Sequence, residues 1–113
     1  MANNQAVKLL NRETVTANQV GPAVDLGAFN ILNYQIRVHK AASAAGTIKL
    51  EHAAVDEDLA FGELVSAVSL TAVSEAGTTG NVPNFLRFVR YKASSDVSSG
   101  GAVVSIDIIA RET

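Results

Sequence analysis

The chain has 113 residues, and its 9 basic and 11 acidic side chains leave a net charge of −2. It contains no cysteine, which excludes disulfide frameworks, thiolate metal sites and thiol nucleophiles. A near-neutral chain with scattered basic residues lacks the counterion-release term behind nucleic-acid affinity. Its start is polar, without the basic and apolar regions of an export leader, and about 18 consecutive apolar residues occur nowhere, so no nucleic-acid or membrane partner is expected. The expected product is made in the cytoplasm and stays soluble or is carried out inside something larger. Apolar residues make up 48% of the chain, enough for one two-layer core without staples, and residues 1–113 read as one domain.

In chain order, the polar start Met1-Ala2-Asn3-Asn4-Gln5 reads as a flexible arm. Weak strands follow at Ala6 to Leu10, Glu13 to Thr16 and Ala23 to Leu26, with a turn at Gly21-Pro22. From Tyr34 to His39 the pattern alternates, with Tyr34, Ile36 and Val38 on one side and Gln35, Arg37 and His39 on the other. After the small residues Ala41 to Gly46, a second alternating run from Thr47 to His52 places Ile48, Leu50 and His52 together. The two runs predict a hairpin in which Val38 opposes Ile48, because a one-residue slip would move both apolar sets to the wrong face.

A weak strand at Leu64 to Ala72 leads into Val73 to Asn84, which reads as a long exposed loop carrying a turn at Gly77 to Gly80. Phe85 to Lys92 is strongly β-prone, with Leu86 and Phe88 assigned inward and Arg87 outward. After a turn at Ser98 to Gly101, the last strand places Val104, Ile106 and Ile108 on one face and Ser105 and Asp107 on the other. About seven or eight short strands with turns between them, and no long amphipathic helix, predict an all-β fold, a single antiparallel β-sandwich of the jelly-roll type.

Few residues suggest chemistry. The two histidines, His39 and His52, fall on opposite faces of the expected hairpin, so they form no shared metal or acid–base site; His39 reads as a solvated strand residue. Asp56-Glu57-Asp58 could attract calcium, but the ligand spacing of a calcium loop is missing. Gly77-Thr78-Thr79-Gly80 lacks the Lys-Ser/Thr and helix of a phosphate loop. No serine sits in a nucleophile elbow, so no catalytic, metal or cofactor site is expected and the chain does not read as an enzyme. Arg87, Arg90 and Tyr91 form a basic-aromatic segment that could contact a sugar or phosphate, the basis of an alternative reading as a carbohydrate-binding module. Val103 and Ile109, apolar on the nominally wet face of the last strand, are expected at a protein interface, as are Asn3 and Asn4 in the arm and Thr78, Thr79 and Asn81 in the long loop.

The succession from the Tyr34 to His39 strand through Gly46-Thr47-Ile48-Lys49-Leu50-Glu51, then Phe85-Leu86-Arg87-Phe88, and finally Gly100-Gly101 before Val103 to Ala110 and Arg111-Glu112 resembles small β-sandwich and jelly-roll virion proteins of tailed bacteriophages, spanning about residues 29 to 113. The acidic loop Val55 to Leu59 departs from that pattern. The resemblance implies a non-enzymatic structural protein of the virion, a capsid decoration or cement protein, with a neck, tail or fibre-base component as the variant within the same class. It further implies a homo-oligomer, favoured as a trimer, that binds the major capsid protein or another virion protein.

Overall fold

A computed structural model describes residues 4–27 and 29–112. Its strands are β1 (Asn4–Val15), β2 (Val24–Asp25), β3 (Ile31–Lys40), β4 (Thr47–Ala53), β5 (Gly62–Ser69), β6 (Ser74–Pro83), β7 (Phe88–Ala93) and β8 (Ala102–Arg111), with a single helical turn at Asp58–Ala60. They form two four-stranded antiparallel sheets, ordered β1-β8-β3-β6 and β2-β7-β4-β5. The first strand pairs with the last, the second with the seventh, the third with the sixth and the fourth with the fifth. That nested pairing is a wrapped ribbon, the jelly roll expected from the strand pattern.

The two best alternating runs are strands, and their faces are as expected: Ile36 and Val38 are buried on β3, and Ile48 and Leu50 on β4. They do not pair. β3 lies between β8 and β6, whereas β4 lies between β7 and β5, so the expected hairpin is replaced by an arch between the sheets. The Ala42 amide donates to the Leu70 carbonyl at 2.7 Å and the Leu70 amide to Gly46 at 2.9 Å, tying this arch to the β5–β6 connection beside it. Two strands with one apolar face each can bury those faces across a sandwich as well as side by side, and alternation alone does not distinguish the two.

The core joins Leu32, Ile36 and Val38 of β3 and Val104, Ile106 and Ile108 of β8 to Ile48 and Leu50 of β4 and Val89 of β7. Each fully buried aliphatic side chain of this kind contributes about 1.5–3 kcal/mol relative to exposure. β7 corrects the expected facing: Val89, Tyr91 and Ala93 point inward, Phe88 is only half-buried and Leu86 is 44% exposed. The opposite parity would have carried Arg90 and Lys92 into the core, and an unpaired buried charge costs far more than an exposed leucine.

The expected loop from Val73 to Asn84 is in fact mostly strand β6, an exposed edge paired to β3. Val82 is its one bulky apolar residue before the proline, so the period-two signal is missing. Its glycines answer to β3 instead: a Cβ on Gly80 would stand 2.5 Å from the Tyr34 hydroxyl, and Gly77 has φ 76° with Ile36 O 2.5 Å from where its Cβ would be. The two weak amino-terminal strands are one strand, interrupted by register shifts around Leu10, with Arg12 at φ 50°. β1 begins at Asn4, which pairs with Arg111. Asn4 and Gln5 therefore belong to the sheet and not to an arm, and Asn3 lies outside the described residues.

Candidate functional site

The outer face of the first sheet carries a connected row of polar side chains. His39 leaves β3 away from the core and lies between Glu75 of β6 and Ser105 of β8. Its Nδ1 is 2.8 Å from Glu75 Oε1 and its Nε2 is 2.8 Å from Ser105 Oγ. The order serine, histidine, carboxylate is the connectivity of a hydrolytic triad. Here the histidine side chain is only 5% exposed and Ser105 1%, and Ser105 Oγ also accepts the Arg12 amide at 3.0 Å. A serine so enclosed meets no substrate. What the row does is hold the irregular part of β1 and the edge strand β6 against the centre of the sheet. His39 is thus a buried clamp and not the solvated residue expected from the sequence. Its hydrogen bond holds the Glu75 carboxyl below the ordinary 4.5, with the charges of Arg12 and Arg37 acting in the same direction.

Beside this row, Lys8 of β1 contacts Asp107 of β8 at 2.7 Å, and Arg37 of β3 stands 3.7 Å from the other oxygen of Asp107. Ala6, Val7, Lys8, Asp107, Ile108 and Ile109 line a shallow depression of about 310 Å³ here. Ile109, expected at an interface, is 43% exposed, and Val103 is half-buried. Thr78, Thr79 and Asn81 are exposed along the β6 edge, where the Asn81 amide donates to Asn33 at 2.6 Å.

The basic-aromatic segment is dispersed by the fold. Arg87 is exposed and chelates Asp25 through two hydrogen bonds of 2.8 and 2.7 Å. These bonds, with the Gly27 amide at 2.9 Å, lower the Asp25 pKa to about 2. Arg90 is buried on the outer face of the second sheet, bound to Glu51 at 3.0 Å and Asp58 at 2.9 Å, with its guanidinium 3.9 Å over the Phe61 ring. Tyr91 is buried, and its hydroxyl accepts from Gln19 Nε2 at 2.9 Å. The three side chains share no surface.

Arg90 braces the loop between β4 and β5, and at the apex of that loop Leu59 is 100% exposed. Asp56 and Glu57 beside it are exposed. No three metal-ligating side chains converge among the described residues, so Asp56-Glu57-Asp58 forms no such cluster there. His52, in the other sheet from His39, accepts the Leu86 amide on Nδ1 at 3.0 Å, and burial lowers its pKa below 6.5. No described helix is long and apolar enough to cross a membrane.

Sequence reasoning missed the His39 row and Leu59 as a presented side chain. The members of the row lie 36 and 66 residues apart in the chain, which leaves no local motif. For Leu59 a signal was available: a bulky apolar residue directly after three carboxylates.

No family model matches the sequence, and no curated protein matches it. Solved structures share its fold. The SPBc2 prophage-derived protein YomS superposes with a TM-score of 0.65 at 13% identity, over 99% of this chain and 96% of that one. A cleaved adhesin domain of Lys-gingipain from Porphyromonas gingivalis gives 0.53 at 14% identity, over 94% and 71%. A chain from disulfide-linked pili, the Bacillus endospore appendages, gives 0.51 at 13%, over 100% and 87%. At these identities the likeness is one of fold.

Proposed function

We propose that this protein is a non-enzymatic structural component of a bacteriophage virion that decorates the capsid and cements its shell. The observation that carries this reading is the end-to-end match of its jelly roll to a prophage-derived protein, which leaves almost no part of either chain unmatched. The surface supports it. Thr78, Thr79 and Asn81 stand on an edge strand with no charged residue from Ala76 to Pro83, so its backbone groups are open to a partner strand or loop. The mechanism is binding energy alone: contacts that exist only after assembly favour the assembled shell by mass action. Copies act as a homo-oligomer, with a trimer as the expected unit and the major capsid protein as the expected partner.

The test is sedimentation of the purified protein with capsids that lack it, together with thermal release of the packaged genome. Saturable pelleting and a raised release temperature are expected. Absence of pelleting, with the protein found instead in purified tails, would replace capsid decoration by a tail or neck role.

A further inference from the structure

We propose that Leu59 of one copy seats in the depression between β1 and β8 of the next copy, so that repetition closes a ring. The inference rests on the homo-oligomeric part of the reading above and specifies its contact.

A leucine exposed over its whole side chain retains all of its burial energy for a contact outside its own domain. Leu59 cannot collapse onto its own domain, because Asp58 before it is tied to Arg90 and Phe61 after it lies against the same guanidinium. Arg90 is itself fixed from below by the buried Glu51. The result is a knob on a rigid support, the arrangement in which one apolar side chain contributes most at an interface because little freedom remains to be lost.

The receiving site is the depression lined by Ala6, Val7, Lys8, Asp107, Ile108 and Ile109, in which the paired and exposed Ala6 and Ile109 offer the outward apolar surface while Ile108 belongs to the core beneath. Its volume of about 310 Å³ exceeds that of a leucine side chain, and Ile109 at its mouth is exposed. The charges match as well. Asp56 and Glu57 flank the knob. At the depression two cations, Lys8 and Arg37, share the single carboxylate of Asp107, and exposed Arg111 follows Ile109 by two residues on β8.

Topology favours closure. Asn4, Ile31 and Arg111 are in register at one end of the sandwich. The β4–β5 loop leaves from that same end, because β3 and β4 are joined at the other. β1 borders the first sheet, whereas the loop leaves next to β5, the border of the second. Knob and hole thus share an end but lie on different sheets, so neighbours related by rotation about an axis along the strands can engage in series with no shift along it. Such a head-to-tail contact forms rings.

The test is light scattering across a concentration series on the full chain and on Leu59→Asp, Ile109→Asp, Arg111→Glu and the double variant Arg111→Glu with Glu57→Lys. All four sites are exposed, and circular dichroism checks that each variant folds as the wild type does. A wild-type assembly is expected, with Leu59→Asp and Ile109→Asp each raising the half-assembly concentration by about tenfold or more. Arg111→Glu should weaken assembly, and the charge-exchanged double variant should recover it. An assembled wild type with unchanged Leu59→Asp overturns this contact and leaves homo-oligomeric decoration standing. A wild type that is monomeric throughout overturns the contact and the homo-oligomer together, while capsid pelleting judges the decoration role separately.

Discussion

Arg87 and Arg90, three residues apart in one basic segment, have opposite roles in the folded chain. Arg87 lies at the surface and holds the Asp25 carboxyl at about 2, chiefly through its side-chain hydrogen bonds. Because this folded value lies below the ordinary 3.8, the pair stabilises the fold fully above pH 3.8 and loses that contribution as pH falls toward about 2. Unfolding midpoints of wild type and Asp25→Asn should therefore differ at neutral pH and converge across that window. A constant difference would show that the pair contributes no pH dependence. Arg90 is the structural member: it neutralises the buried Glu51, and Lys49 at 3.7 Å is its more distant second partner. Arg90→Ala should cost about 2–3 kcal/mol in chemical denaturation, since it leaves a buried carboxylate with the looser Lys49 contact in place of its 3.0 Å bond. Replacing both partners by Met and Leu should recover most of that loss, because the charges then released, Asp58 and Lys49, both reach solvent.

Elements divide by how much of their signal is carried in their own residues. β3, β4 and β8 alternate because one face of each packs into the core, and their inward residues were legible from the chain alone. β6 was not, for its ten residues bury little of themselves and its extended form comes from the ladder to β3. The clamp of His39, Glu75 and Ser105 belongs to this scale as well, since it fastens β1, β8, β3 and β6 in one row. Ser105→Ala should cost about 1–2 kcal/mol, because the part-buried Arg12 amide and His39 Nε2 both lose their partner. Amide exchange should then speed up locally in β1 around Arg12 and in β6 around Glu75. Uniform acceleration over both sheets would instead mark a general loss of stability with no clamping role.

For the whole molecule, the unguarded border is informative. β1 has Lys8, Arg12 and register shifts, and β2 has two residues, both recognised ways of blunting an edge. β6 has a register shift between Ser74 and Thr78 and ends at Pro83, but from Thr78 to Val82 it has neither charge nor shift, as suits an edge that meets a partner. Thr79→Lys, an exposed change on that edge, should leave the unfolding midpoint within about 0.5 kcal/mol of wild type and sharply reduce capsid pelleting. Pelleting at wild-type level would move the capsid-binding surface away from β6.

Several properties followed from the residues alone: an all-β sandwich, the inward faces of its best strands, the absence of thiol chemistry and the exposure of Ile109. These depend on composition and on a two-residue period, which each segment carries within itself. Tertiary structure decided which strand lies beside which, turning an expected hairpin into an arch between sheets. It also dispersed Arg87, Arg90 and Tyr91, buried His39 between two partners from distant strands, and raised Leu59 on a braced loop. The physical reason is common to all of these. Alternation specifies which way a side chain points, while its neighbours are set by pairings between segments many residues apart, and those are chosen by closing one shared core.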